Sequence, residues 1–144
     1  MLTRRRFAGF APCAICATAG FIATGASAQI GKPITSGGIT RTTLSQLDGP
    51  VPGYTTINML VEIAPRTFII RHMHPGIEST YVLAGGNFDP SIQGEPSRIV
   101  KAGDAIQVPA MRHHAGVENG DVETKLVTTY VVEKGKPLVI PVKD

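Results

Sequence analysis

The sequence predicts an all-β fold: a single jelly-roll β-barrel preceded by an N-terminal signal segment. Three observations carry this. Sixteen glycines and eleven prolines in 144 residues favour turns over long helices. After residue 28, apolar residues recur with a period of two and never with a sustained period of 3.6. Eight or more short strands, each ended by a turn signal, fit the remaining length and suit two packed sheets. One domain is the default at this size, and a chain of about 116 residues buries a small but workable core.

Residues 1–28 come first and read as an address. Arg4, Arg5 and Arg6 precede an uncharged stretch over 7–26, which closes on Ala26-Ser27-Ala28 before Gln29. A basic start, an apolar middle and a small-x-small end are the pattern of an export signal cleaved after Ala28. The middle is rich in Ala, Gly and Thr, weaker than a membrane anchor requires. Thr3-Arg4-Arg5-Arg6-Phe7 resembles the twin-arginine signal, which implies that translocase as a partner and a periplasmic or secreted location. Both cysteines, Cys13 and Cys16, fall inside this segment, so their C-x-x-C spacing carries no redox or metal expectation. Of 14 basic residues three are Arg4–Arg6, which leaves eleven against eleven acidic ones and removes the net charge of +3. A near-neutral domain with no Trp and 6% aromatics is not a nucleic-acid binder.

Residues 29–53 read as an N-terminal arm with one possible edge strand over 39–44; residues 54–144 read as the barrel domain. Strand 56–63 places Ile57, Met59, Val61 and Ile63 on one face. Ala64-Pro65-Arg66 ends it, and strand 67–74 follows. Pro75-Gly76 turns the chain into 78–83, which stops at Gly85-Gly86. Strands over 87–93, 98–100 and 105–108 are separated by Gly94-Glu95-Pro96 and Ala102-Gly103-Asp104. A loop over 109–112 leads to 114–117. Gly120-Asp121 turns the chain into the last strand, 123–132. The tail from Glu133 is expected to cover a sheet edge.

All four histidines lie in two places: His72 and His74, then His113 and His114. His72-Met73-His74 has strand period, so both imidazoles share a face about 7 Å apart and can converge on one ion. Ile70 shares that face by the same alternation, which marks it as the inward one. A reversal at Pro75-Gly76 lets Glu78 return its carboxylate to the same ion. Left alone, an inward Glu costs several kcal/mol.

These residues resemble the two signatures of the cupin superfamily. The first runs His72-x-His74, Glu78 and Gly85; the second runs Gly103, Pro109 and His114. The resemblance covers roughly Met59 to Val132. It implies a jelly-roll barrel holding one divalent metal on His72, His74, Glu78 and His114, and a small-molecule substrate or ligand. Three imidazoles and a carboxylate suit Fe, Mn, Ni, Cu or Zn. Small cupins of this kind often pair through sheet edges, which implies a possible homodimer. The chain departs from the pattern at three places: Arg66 and Met111 stand where the signatures have Gly, and Asn119 lies one position late, with Glu118 in its place. Arg66 is expected to bear backbone strain or to change the turn.

Only one of His113 and His114 can face the ion, because adjacent strand residues point opposite ways. The spacing from Pro109 selects His114. The favoured function is an exported metal-dependent oxygenase (a dioxygenase-type oxidoreductase) on a small organic substrate, with Glu78 as the catalytic acid or base. The alternatives are a non-catalytic binding module and a metal-dependent isomerase or lyase. The last is disfavoured because no second acid or base is evident beside the motifs. Tyr81, Gln107 and Met111 are candidate pocket residues, and Arg71 and Arg112 candidates for steering an anion.

Overall fold

The structure is a computed structural model, and it describes residues 31–143. The segment expected to be an export signal, the cleavage point expected after Ala28 and both cysteines lie outside the described residues. The described chain forms twelve strands and no helix: β1 (Ile34–Ser36), β2 (Ile39–Asp48), β3 (Tyr54–Ile63), β4 (Phe68–Ile69), β5 (His72–Met73), β6 (Gly76–Ala84), β7 (Gly86–Phe88), β8 (Val100–Lys101), β9 (Ala105–Val108), β10 (Val117–Glu118), β11 (Thr124–Glu133) and β12 (Ile140–Pro141).

Six strands form one antiparallel sheet in the order β1-β2-β3-β11-β6-β9. The short pairs β10-β4, β12-β5 and β7-β8 make the rest of the jelly roll. Alternation decides which side chains enter the core. Met59, Val61 and Ile63 of β3, Leu126, Tyr130 and Val132 of β11, and Val82 of β6 are buried. Ile69, Phe88, Val100 and Ala115, from outside the six-stranded sheet, close the same core. The expected inward face of β3 is therefore the face observed.

Three differences from the sequence expectation matter. Residues 39–48 are a strand flanked on both sides, paired with β3 from Ile39↔Ile63 to Asp48↔Thr55, so the arm contributes to the main sheet. Opposite the inward residues of β3 it carries Ile39 and then only polar residues, Arg41, Thr43 and Gln46, which hides this role from a periodicity argument. Second, strand 67–74 is two short strands. Ile69 is buried while Ile70 is half exposed, so Ile70 does not share the inward face with His72 and His74. The break at Ile70-Arg71 between β4 and β5 resets the alternation. Third, the segment over 87–93 is strand only to Phe88, and 114–117 begins with an isolated bridge rather than a strand. The tail does cover an edge: β12 pairs with β5, Pro141 opposite His72.

Gly76 and Gly85 set the ends of β6. A Cβ at Gly76 would lie 2.0 Å from the Val131 carbonyl oxygen, so only Gly lets β6 start this close to β11. Gly85 has φ 67°, and a Cβ there would lie 2.1 Å from the Glu123 carbonyl oxygen. Arg66 (φ 56°) and Met111 (φ 59°) keep the left-handed backbone where the resembled signatures carry Gly. The αL conformation costs a non-glycine residue about 1–2 kcal/mol, partly offset by the extra unfolded-state freedom of Gly. Met111→Gly is therefore expected to raise stability by about 0.5–1 kcal/mol in urea unfolding. A loss of stability would show that the Met111 side chain contributes more than its backbone costs.

Candidate metal centre

The three histidines are brought together by backbone pairing. His72 and His114 form an antiparallel bridge, with His72 N–H on the His114 carbonyl (3.1 Å) and His114 N–H on the His72 carbonyl (2.9 Å). The Met111 N–H donates to the His74 carbonyl at 2.9 Å, tying the loop before His114 to the end of β5. One ring nitrogen from each of His72, His74 and His114 lies within 4.8 Å of the others, close enough for one ion to serve all three. The ring centroids of His72 and His114 are 4.1 Å apart.

The outer nitrogens decide the tautomers. His72 Nδ1 meets the Ile70 carbonyl oxygen at 2.8 Å, His74 Nδ1 the Leu138 oxygen at 2.6 Å, and His114 Nδ1 the Arg112 oxygen at 3.2 Å. A carbonyl only accepts, so each Nδ1 carries the proton. In the neutral rings each Nε2 is then a lone pair, the form in which imidazole binds a metal.

Glu78 reaches the centre from β6. Its Oε2 lies 2.8 Å from His74 Nε2 and 3.2 Å from His114 Nε2. Burial pushes this carboxyl up, but any proton that His114 or His74 turns toward it more than offsets that and holds it well below the usual carboxylate range. Glu78 is thus a carboxylate, yet His74 Nε2 and Glu78 Oε2 are both buried without a well-formed hydrogen bond. Two lone pairs facing each other at this distance repel unless a cation answers both. Buried, unpartnered and acceptor-only, these atoms fit a divalent ion. His72, His74, His114 and Glu78 would hold it, and it would supply Lewis acidity toward a carbonyl or a bound water.

The other oxygen of Glu78 is fixed by a hydroxyl chain. Thr80 Oγ1 donates to Glu78 Oε1 at 2.7 Å, so the 2.8 Å contact with Thr128 Oγ1 has Thr128 as its donor. Both threonines are buried. Thr80→Val removes the donor with little change of shape. It is expected to weaken metal binding about 10–100-fold, the usual effect of losing a group that orients a ligand. Thr80→Ser should restore most of it in the same metal titration; equal weakening by both variants would show a packing effect instead.

Burial, together with the neighbouring His114, lowers the His72 pKa from 6.5 to about 4. A depressed imidazole pKa favours the fold above pH 6.5, and that contribution fades as pH falls from 6.5 to about 4. The neutral ring also persists to lower pH than usual for metal binding. Metal bound at pH 7 is expected to remain at pH 5.5 and to be released near pH 4 and below, read by dialysis and elemental analysis. Full release by pH 6 would contradict this.

With the geometry in place, comparison with known proteins gives a plain result. The family described as "Cupin domain" matches residues 59–136. The chain belongs to the cupin family. No curated protein matches it. Among solved structures, this cupin is similar to an RmlC-like cupin from Shewanella frigidimarina NCIMB 400, with TM-score 0.56 and 20% identity over 77% of this chain and 89% of that one. The polyketide cyclase RemF from Streptomyces resistomycificus gives 0.56 and 22%, covering 81% and 82%. The DMSP lyase DddQ from Ruegeria pomeroyi DSS-3 gives 0.54 and 21% over 62% of this chain, which spans 45% of that larger one. At these identities the likeness is one of fold.

This cupin encloses a cavity of about 70 Å³ beside the histidines. The expected ligands His72, His74, Glu78 and His114 all line it. His113 stands outside the histidine triad. The three pocket candidates are corrected. Tyr81 and Met111 are about half exposed, and Gln107 is exposed and donates to Ser79 Oγ at 3.3 Å. None of the three lines the cavity. Tyr81 and Gln107 have the wrong parity: Glu78, Thr80 and Val82 face inward on β6, and Ile106 and Val108 on β9. Arg71 and Arg112 are exposed as well.

The polar cavity residues that sequence reasoning missed are Arg41, Thr80, Thr128 and Tyr130. Tyr130 packs on His74 at a centroid distance of 4.9 Å and stands opposite Glu78 in the β11-β6 register. Burial and the Glu78 charge raise its pKa far above the usual phenol range, so its hydroxyl keeps its proton. A signal was present: Leu126, Thr128, Tyr130 and Val132 share one parity, so the polar pair points inward with the apolar one.

Proposed function

We propose that this cupin is a metal-dependent enzyme acting on a small organic molecule held inside the barrel. The observation that carries the reading is the set of three imidazoles whose ring nitrogens lie within 4.8 Å of one another, with the buried Glu78 carboxylate against two of them. Glu78 offers Oε2 to that point while Thr80 holds Oε1, which keeps the carboxylate in one orientation. The apolar walls from Ile39, Val61, Ile69, Phe88 and Leu126 exclude water around it.

An oxygenase is the reading favoured from sequence. Tyr130 supports a second one, proton transfer as in an isomerase or lyase, because it supplies the missing second group. Tyr130 keeps its proton and so can donate a hydrogen bond to an oxygen that gains charge as a substrate proton is lost, on the same wall of the cavity as Glu78. The discriminating experiment loads the purified protein with Fe, Mn, Ni, Cu or Zn and offers a panel of small carbonyl compounds in D₂O. Oxygen uptake supports the oxygenase; deuterium entering the substrate without oxygen uptake supports proton transfer. Bound metal with neither leaves a binding module. Failure to hold any of these metals at one per chain would overturn the metal-dependent reading altogether.

The export reading rests on Arg4-Arg5 and the small-x-small end at Ala28. It places the folded protein in the periplasm or outside the cell. An Arg4→Lys, Arg5→Lys variant is expected to stay in the cytoplasm, and normal export of that variant would exclude the twin-arginine route.

A further inference from the structure

We propose that Arg41 binds the carboxylate of a small organic acid inside the barrel, which makes the substrate of the proposed metal-dependent reaction an anion. The inference rests on that reading for the reaction, though not for the binding itself. Arg41 lies on β2 opposite Val61, which lies opposite Leu126, which lies opposite Val82. The other three members of this row are buried aliphatic residues. A guanidinium therefore occupies an inward position in an otherwise oily layer. Its side chain is half-buried and lines the same cavity as His72, His74, Glu78 and His114. No other Lys or Arg lines it among the described residues.

Arg41 forms no ion pair with a described residue. Its charge is felt by the buried Tyr130 hydroxyl, whose raised pKa it pulls partly back. An arginine cannot neutralise itself by losing a proton, so partial burial without a counter-charge carries a desolvation cost that a bound anion would relieve. The lone guanidinium fits a carboxylate, whose two oxygens match its fork. Phosphate sites usually add a helix N-terminus or a nest of backbone N–H groups, and the described residues form no helix.

The placement also sets the shape of the ligand. Glu78 and Tyr130 stand in one row across the sheet, and Arg41 in the row two layers further along. Four residues along a strand span about 13 Å between Cα atoms, and the inward side chains shorten the gap. Thr80 and Thr128 stand in the row between, Val61 and Leu126 share the row of Arg41, and Ile69, Phe88 and Ile106 add apolar wall to the same cavity. The fitting ligand has a carboxylate at one end, a short apolar body, and its reacting group toward the histidines.

The test compares butyrate with the isosteric butyramide by titration calorimetry, on preparations whose metal content is measured first. The wild-type protein is expected to prefer butyrate by about tenfold or more, the usual worth of a charged hydrogen bond. Arg41→Met should abolish the preference without changing metal content, while Arg41→Lys should retain part of it. Wild-type protein that binds both probes equally would overturn the proposal. So would an Arg41→Met variant that keeps the preference, since the carboxylate would then be read elsewhere. Displacement of butyrate by equimolar inorganic phosphate would overturn the carboxylate class. If the protein holds no metal yet Arg41→Met still loses the preference, the metal-dependent reading fails and this one stands.

Discussion

His74→Ala is expected to empty the metal centre. The ring is 1% exposed, and its Nε2 is one of the two buried atoms left without a partner. Removing it takes away one of three converging lone pairs and leaves the Glu78 carboxylate facing only His114 at 3.2 Å. Loss of an orienting group alone costs about 10–100-fold in metal affinity, and loss of a ligand should exceed that. The same truncation opens a cavity under β12 and orphans the Leu138 carbonyl, for a stability loss of about 2–4 kcal/mol. His113→Ala is the control, because His113 is only partly buried and outside the triad. Elemental analysis of both purified variants checks the assignment. Equal metal loss in the two would show that the wrong member of the His113-His114 pair has been chosen.

The contrast between those neighbours shows which parts of the site were legible in the sequence. Ligands set by local spacing were readable: His72 and His74 two apart, Glu78 just past a Pro-Gly turn, His114 five beyond Pro109. Alternation puts His72 and His74 on one face, a reversal at Pro75-Gly76 returns Glu78, and the resembled signature's spacing from Pro109 picks His114. Ile70 shows the limit. Its predicted inward position assumed an unbroken strand, and one irregular step at Ile70-Arg71 put Ile69 inside instead. Nothing in the residue types marks that step.

The cavity wall was less legible because it is built from register between distant strands. Tyr130 meets Glu78 across 52 positions in the chain, and Arg41 joins the row of Val82 only through two intervening strands. Such pairings depend on how the whole sheet closes, which no local window contains. Proximity in sequence misled in the same way. Tyr81 and Gln107 flank the signatures but point out of the barrel, whereas Thr80, one residue from Tyr81, points in and holds Glu78. Parity along a strand, not nearness to a motif, decides which side chain reaches the ion.

Asn119→Ala is expected to be the most damaging change away from the metal centre. Asn119 is fully buried, in contrast to the exposed Glu118 that takes the usual place of Asn in the second signature. Its Nδ2 donates toward the carbonyl oxygens of Ile63 (3.3 Å), Ala64 (3.0 Å) and Val122 (3.0 Å). Its Oδ1 accepts from Thr124 Oγ1 at 2.6 Å, and that hydroxyl in turn accepts from Gly86 N–H at 2.9 Å. One side chain thus joins the end of β3, the turn before β11, the start of β11 and the start of β7. Alanine would leave several buried polar groups unanswered at about 1–3 kcal/mol each, part of it recovered by relaxation. A total loss of about 3 kcal/mol is expected, lowering the unfolding midpoint by about 10 °C for a domain of this size. Asn119→Asp should be no milder, since it turns an acceptor toward three carbonyl oxygens. Asn119 does not line the cavity, so the fraction that folds should bind metal normally. Thermal melts with parallel metal titrations separate the two effects. A shift of only one or two degrees would mean that water or backbone movement satisfies those carbonyls without Asn119.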